Sequence, residues 1–464
     1  MPQLSRRHRW LAGAAISSGL ILTFACGDDE KAQQGGSPGA TSPSQSAALK
    51  IGGLMSFTGD LSKFGQPIFN GAELAVSEIN ESGGVLGNPV QLVQADDGTS
   101  PQLGVNEARR LVDVESVQAI IGGLSSGVSL QVAETVTGPD SILQISPAST
   151  SPGLTDANDK DFLFRTTISD AAQGLVLAQL ANDSAITEVC TMYINNAYGK
   201  GLSNAFTTEF QAIGGTVTDQ VPHESAQATY ASELDRCQGA QALAAIAYPE
   251  SAGVFLREAI EKSTTGEFLL VDGTKSDKML DQLGWDNFDG VKGTSPGNLP
   301  TQSSGSFADR YKAKFGPLPA LPYIKEAYDA VYLIALSAEA TGSTDPTAMR
   351  NKLRGVANAP GKQFEPGSAN FKDAVAALKK GDDIDYEGVV GPFEFDDKGD
   401  PQIGAIEWFH VDAADKKLVT DKVFRVHIVK KEVTDITEVA LATPTPAAGG
   451  GESPSSTSTG SSSY

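Results

Sequence analysis

At 464 residues with 40% hydrophobic content, the chain is too long for one ordinary core and is expected to fold as two domains. Its formal net charge of -22, with no run of basic residues in the body, speaks against nucleic acid, whose phosphates demand clustered Lys and Arg. Three cysteines and four histidines, none in C-x-x-C or H-x-x-x-H spacing, argue against a metal site, and no cofactor is expected.

The chain opens on MPQLSRRHRWLAGAAISSGLILTFACGDDE. Arg6, Arg7 and Arg9 precede an apolar stretch from Trp10 to Ala25, the build of a secretory signal whose core is short for a membrane span. Ala25-Cys26-Gly27 resembles a bacterial lipobox, with Thr23 and Phe24 as atypical residues ahead of it. Residues 1–25 are therefore expected to be a signal peptide and Cys26 a lipid attachment site; a plain cleaved signal is the alternative. Ser5-Arg6-Arg7 also resembles a twin-arginine signal, although Arg9 stands where that motif has a bulky apolar residue. Residues 26–46, rich in Gly, Ser, Pro and Gln, cannot bury a core, and as a flexible tether would span roughly 25 Å.

From residue 47 short apolar runs alternate with amphipathic helical patterns. LKIGGLMSF reads as a strand, followed by a helix containing IFNGAELAVSEIN, in which Ile68, Ala72, Ala75, Val76 and Ile79 share a face. PVQLVQA is the next strand, and Ser100-Pro101 supplies an N-cap and first-turn proline for QLGVNEARRLVDVE. VQAII and ILQIS are two further strands, separated by a helix near LQVAETV. This βαβαβαβ order predicts a parallel doubly wound sheet. The pattern then restarts with EVCTMYI, TVTDQV, ALAAIAY and FLLVD as strands and helices between them, giving a second α/β lobe. Later helices, IKEAYDAVYLIALSAEAT and PTAMRNKLRGV, must pack on one of the two. Residues 436–464, rich in Ser, Pro and Thr, are expected to be a disordered tail. Cys190 and Cys237 are the only cysteines past the lipobox, and in an exported chain one disulfide between them is expected over two buried thiols.

In such sheets ligands sit beyond the carboxyl ends of the strands. Those ends carry Ser56, Phe57 and Thr58; Ser125 and Ser126; Ser149 and Thr150; Tyr198; Tyr248; and Asp272. Gly123-Leu124-Ser125-Ser126-Gly127 fits G-x-S-x-G, the nucleophile elbow of serine hydrolases, so Ser125 could be a nucleophile. The pattern is permissive in a chain with 49 glycines, and His223, His410 and His427 all lie outside the loops that present a catalytic histidine. We therefore read the loops as a cradle rather than an elbow, and expect no enzyme. Parallel strands would bring Ser126 and Thr150 together on one anion, with loop N–H groups and a helix N-terminus adding donors. Asp272 could face a cation across the cleft, or serve only as a turn residue before Gly273.

Six segments resemble the periplasmic leucine/isoleucine/valine-binding protein family, the receptors of branched-chain amino acid ABC importers. They are IGGLMSFTGDLSKFGQPIFNGAELAVSEINESGGVLG, IIGGLSSGVSLQVAE, ISPASTSPGLT, FRTTISDAAQG, YINNAYGKGLSNAF and YEGVVGPFEFDDKGDPQIG, in family order from Leu49 to Val426. The resemblance implies the type I periplasmic binding fold, with three crossings between lobes near residues 167, 296 and 388. Lobe 1 would comprise residues 47–167 and 297–388, and lobe 2 residues 168–296 and 389–435. A ligand carboxylate would meet Ser126 and groups of Ser149 and Thr150, and an ammonium the Ala148 carbonyl and Asp272, where family members often carry glutamate. Tyr198, Tyr248 and Tyr328 match aromatic wall positions, with core packing the alternative for Tyr328. Phe64 falls where branched-chain binders carry tyrosine, and Asp170 and Gln173 are given a structural role. The implied function is capture of a branched-chain or similar apolar amino acid by cleft closure, for delivery to permease subunits in the membrane. The receptor would be an exported, lipid-anchored monomer. A sensor with the same fold, or a binder of a small amide or aromatic acid, is the alternative.

Overall fold

The computed structural model describes residues 48–441, so the signal peptide, Cys26, the tether and residues 442–464 lie outside the described residues. The first sheet holds β1 (Lys50–Met55), β2 (Gln91–Asp96), β3 (Ala119–Gly122), β4 (Leu143–Ser146) and β5 (Leu163–Arg165). All five run parallel in the order β2-β1-β3-β4-β5. β3 and β4 are buried along their whole length, as strands covered on both faces must be, which is why they read as unbroken apolar runs. The helix Pro101–Asp113 starts where Ser100 accepts the Leu103 amide and Pro101 occupies the first turn. The expected helix near LQVAETV is split into an α-helical Ser126–Val132 and a π-helical Ala133–Thr137.

The second sheet holds β6 (Glu188–Ile194), β7 (Thr216–His223), β8 (Ala242–Ile246), β9 (Glu267–Leu270) and β10 (Lys292–Gly297). These five are parallel. A small parallel pair, β11 (Lys362–Phe364) and β12 (Ile384–Tyr386), stands apart. β13 (Ile403–Asp412), β14 (Lys417–His427) and β15 (Glu432–Asp435) then extend the second sheet beyond β10 with antiparallel pairing. The second sheet is thus mixed, because the four residues between β13 and β14 permit only a hairpin. The Cys190 and Cys237 sulfurs are bonded, tying β6 to the end of the helix Ala231–Arg236.

The helix Ile324–Thr341 is buried on nearly every side and packs on the helix Ser62–Glu81 and on β3 and β4, so it belongs with the first sheet. Gly71 permits that packing: a Cβ there would stand 2.1 Å from the Ile324 carbonyl oxygen. Residues 436–441, expected in the tail, instead continue the fold. The Ile436 amide donates to the Val423 carbonyl at 2.9 Å and a short helix, Thr437–Ala440, packs on Leu299, Ala405 and Val423.

Residues 166–168, 296–297, 390 and 392–393 border one cavity together with Glu326. Asp329 anchors the last of these stretches, accepting the Val389 and Val390 amides at 3.0 Å each and the Tyr386 hydroxyl at 2.8 Å. Gly388 leaves room for it, since a Cβ there would lie 2.4 Å from the Asp329 carboxylate.

Candidate ligand-binding site

The carboxyl ends of β1, β3 and β4 face those of β6, β8 and β9 across a small, partly open cavity. Leu61, Phe64, Ile68 and Leu124 form its apolar side. Ser126 and Ala148 enter from the loops after β3 and β4, and Tyr198, Tyr248 and Asp272 from the second sheet.

At one end hydroxyls gather. Ser126 is 1% exposed and its Oγ accepts the Ser151 amide at 3.2 Å, which joins the two loops. The Thr150 hydroxyl is buried without a bonded partner among the described residues and, contrary to expectation, does not line the cavity. Ser149 differs from expectation: its hydroxyl donates to Ser129 Oγ at 2.8 Å and is spent inside the loops, lining no part of the cavity. Arg165 braces these loops from behind. It is 1% exposed, makes a bidentate pair with Asp400 at 2.6 and 2.7 Å, and donates to the Ser151 carbonyl at 2.9 Å and the Ser149 carbonyl at 3.4 Å. A lone Arg in FRTTISD gives no sign of this, because its partner lies 235 residues further on.

At the other end stands one carboxylate, Asp272, with Asp170 near it but not lining the cavity. Asp272 Oδ1 accepts the Tyr198 hydroxyl at 2.8 Å and the Gln173 amide at 2.9 Å, and Oδ2 accepts the Tyr323 hydroxyl at 2.6 Å. Gly273 is required beside it: a Cβ would meet the Ala247 carbonyl oxygen at 2.4 Å and the Tyr198 hydroxyl at 2.9 Å. Burial raises the Asp272 carboxyl above the ordinary carboxylate range, and the hydrogen bonds from Tyr323, Tyr198 and Gln173 pull it back down. Asp170, given a structural role from sequence, is fully buried with neither oxygen bonded to protein. Burial first, and then the neighbouring Asp272 charge, push its carboxyl well up. The Thr150 hydroxyl beside it, and then the Arg165 charge, oppose this.

Tyr198 and Tyr248 stack at 5.3 Å between ring centroids, 11° from parallel, and form one wall. Tyr328 does not join them. Its hydroxyl bonds Glu78 and Arg310 inside the first lobe, among Phe307 and Tyr332, and it borders no part of the cavity. Tyr323 lines the cavity instead; it sits just before the helix Ile324–Thr341 with φ +79°, a left-handed conformation rarely adopted outside glycine. Several bonds cross the cleft. Ser125 Oγ and the Tyr248 hydroxyl share one at 3.1 Å, Ser151 Oγ donates to the Ala197 carbonyl at 2.8 Å, and Lys63 pairs with Glu250. The partner of Ser125 is thus a phenol. His410 pairs with Asp421 in the β13–β14 hairpin, and His223 packs against Tyr230 and Phe255. Among the described residues no cluster of three or more His, Cys, Asp or Glu is placed to hold a metal, and no helix is long and apolar enough to cross a membrane.

Two α/β lobes closing on a cavity with opposed polar ends define a small-molecule binding protein of the periplasmic type. A family model described as periplasmic binding protein matches residues 48–399, and the chain belongs to that family. Leu/Ile/Val-binding protein homolog 3 of Brucella melitensis is 29% identical over 307 residues, covering 65% of this chain and 82% of that one. The chemotactic signal transduction system substrate-binding protein BasB of Halobacterium salinarum is 26% identical over 327 residues, covering 69% and 76%. The crystal structure of the leucine-binding protein LivK of Thermotoga maritima superposes with a TM-score of 0.69 at 24% identity, covering 81% of this chain and 98% of that one. The resemblance read from the sequence and the type I periplasmic binding fold both hold.

Proposed function

We propose that the chain is the extracytoplasmic receptor of an ABC importer, capturing a branched-chain or similar apolar amino acid by closing its cleft and delivering it to the permease. The cavity carries this reading. Ser126 would take the ligand carboxylate with the Thr150 hydroxyl behind it, Asp272 with the Ala148 carbonyl the ammonium, and Phe64, Leu61, Ile68 and Leu124 the side chain. Lobe 1 would then comprise residues 47–167 and 297–388 and lobe 2 residues 168–296 and 389–435, moving about the stretches that border the Glu326 cavity. Lipid attachment at Cys26 would hold the receptor at the membrane.

The test is a thermal-shift screen of the ligand-stripped chain against amino acids, small amides and aromatic acids. A true ligand at a hundred times its Kd stabilises by about 2.7 kcal/mol. Stabilisation by an apolar amino acid that is lost in Ser126→Ala and Asp272→Ala supports the reading; a flat response to every zwitterion rejects it. The similarity to BasB favours one second reading, a sensor whose closed form signals to a membrane transducer. A gene neighbourhood holding a permease and an ATPase selects the importer, and one holding a transducer selects the sensor.

A further inference from the structure

Outside the cavity the two lobes meet again, through charges. Lys63 stands in the first turn of the helix Ser62–Glu81, beside Phe64, which lines the cavity. Glu250 stands in the first turn of the helix Pro249–Lys262, two residues past Tyr248 of the aromatic wall. Their side chains pair across the cleft, and neither lines the cavity. The Lys63 side chain is 10% exposed and that of Glu250 45%, so the lysine is drawn into the seam while the carboxylate keeps part of its water. A cation in a first turn is disfavoured by the helix dipole, so Lys63 does nothing for its own helix.

The pair sits among acids. Asp60, three residues before Lys63, has its carboxyl raised by burial; the Ser225 hydroxyl of the second lobe pulls it back and the Glu250 charge pushes it further up. Ser225 belongs to the turn after β7, which Tyr230 ties down: its hydroxyl donates to the Glu224 carbonyl at 3.1 Å and accepts the Gln227 amide at 3.3 Å. The Tyr230 amide goes to Glu258 at 2.8 Å, and Asp60, Glu233 and Glu258 all act on its ring hydroxyl. Apposing the lobes therefore sets Asp60 of the first against Glu250 of the second, with Lys63 as the cation bonded between them. Without that cation, like charges would face each other across a closing gap and oppose its closing.

We propose, building on the receptor reading, that Lys63 and Glu250 are a latch over the mouth of the cleft: positioning residues that set how long the lobes stay apposed, and so how slowly a captured ligand leaves, without choosing the ligand. Opening the cleft parts the two charges, so the pair forms only after entry, and its loss changes release while leaving capture alone. Because its members neighbour Phe64 and Tyr248, breaking it frees both sides of the exit together. Salt screens a partly exposed ion pair, whereas an amino acid of zero net charge offers no long-range attraction to screen. A salt-dependent release rate is then the signature of the latch.

The probe is whichever of the twenty standard amino acids stabilises the wild type most against heat, tritium-labelled, its release from the full chain followed after dilution into excess unlabelled compound. Lys63→Met and Glu250→Gln are each expected to release it at least about fivefold faster than the wild type, the ceiling for a pair wholly in water, with association within about twofold. Sodium chloride from about 0.01 to 1 M, across which the screening length falls from roughly 30 to 3 Å, should speed release from the wild type and leave both variants alike. The exchanged pair, Lys63→Glu with Glu250→Lys, should return release to the wild-type rate, which a merely structural role would not. Single variants that release at the wild-type rate, variants that keep its salt dependence, or an exchange as fast as the singles overturn the latch and leave the receptor reading intact. If no standard amino acid stabilises the chain, the receptor reading fails and the latch is read on the empty chain by small-angle scattering at low salt. There Lys63→Glu is expected to be more extended than the wild type, and equal radii overturn the latch.

Discussion

Tyr323→Phe isolates one bond that exists only when the lobes meet. The Tyr323 ring lines the cavity and its hydroxyl, 2.6 Å from Asp272 Oδ2, reaches from the first-sheet lobe to the second. Phenylalanine keeps the ring and removes the hydroxyl alone. A hydrogen bond to a charged group contributes about 1.5–3 kcal/mol net, so ligand affinity is expected to fall roughly 10- to 150-fold. The other two donors, Tyr198 and Gln173, both sit on Oδ1 and cannot replace it without moving. Losing a donor to the ionised form also raises the Asp272 carboxyl further, so acid should weaken binding of the variant at a higher pH than it weakens the wild type. Calorimetric titration gives the affinity, and thermal unfolding without ligand gives the stability of the open chain. Affinity is expected to drop while the ligand-free midpoint stays where it was. An affinity change below about threefold refutes the reasoning, as does a ligand-free midpoint that falls in step with affinity, since the bond would then belong to the fold.

Arg165→Met strands Asp400 in the interior, and removing one partner of a buried pair costs about 3–5 kcal/mol. Urea unfolding should show that loss, and a cost under about 1 kcal/mol would mean the pair is not the brace of the Ser149 and Ser151 carbonyls. Replacing Cys190 and Cys237 together by serine releases a cross-link spanning 47 residues and should cost roughly 2–4 kcal/mol; reductant should lower the wild-type midpoint equally, and no effect of reductant would refute a stabilising bond. Burial raises the Asp97 carboxyl from 3.8 to about 6, outweighing the hydrogen bond it accepts from Ser56, which acts the other way. The folded state therefore binds that proton more tightly than the unfolded one. The resulting stability is complete below pH 3.8 and is lost as pH rises through about 6. Asp97→Asn should flatten the decline of the melting midpoint between those values, and an unchanged slope would show that Asp97 does not titrate there.

The lobes were legible because parallel buried strands write themselves as apolar runs with a helix between, and the hydroxyl end of the site was legible because it sits where those runs stop. Ser126, Thr150 and Tyr198 stand four residues past the end of a strand, and Tyr248 and Asp272 two. What failed was what needs a third dimension. Tyr323 and Tyr328 are five residues apart, about 140° round a helix axis, so only one of them can face the cleft, and the pattern does not say which. Tyr323 precedes the helix in a strained conformation that no propensity announces. Asp170 looked like an ordinary first-turn acid, which it also is; that its carboxylate is unpartnered depends on Asp272, a hundred residues on, lying opposite. The mixed second sheet was missed because the strand that joins it at β10 arrives only after the helices between residues 304 and 380.

The first two turns of the helix Ile324–Thr341 unite what these separate residues do. Tyr323 at its start touches Asp272 in the cavity, Glu326 borders the cavity where the crossing stretches meet, and Asp329 holds the Val389 and Val390 amides. A spacing of three residues sets Glu326 and Asp329 along one side of one rigid rod, with Tyr323 at its N-terminal end. That rod is packed into the first lobe by the helix Ser62–Glu81, so it cannot shift with the second. Any rotation of the second lobe must then change the Tyr323–Asp272 distance and the shape of the Glu326 cavity together. On the receptor reading proposed above, a ligand that fixes Asp272 against Tyr323 would thereby also fix the stretches that border the Glu326 cavity.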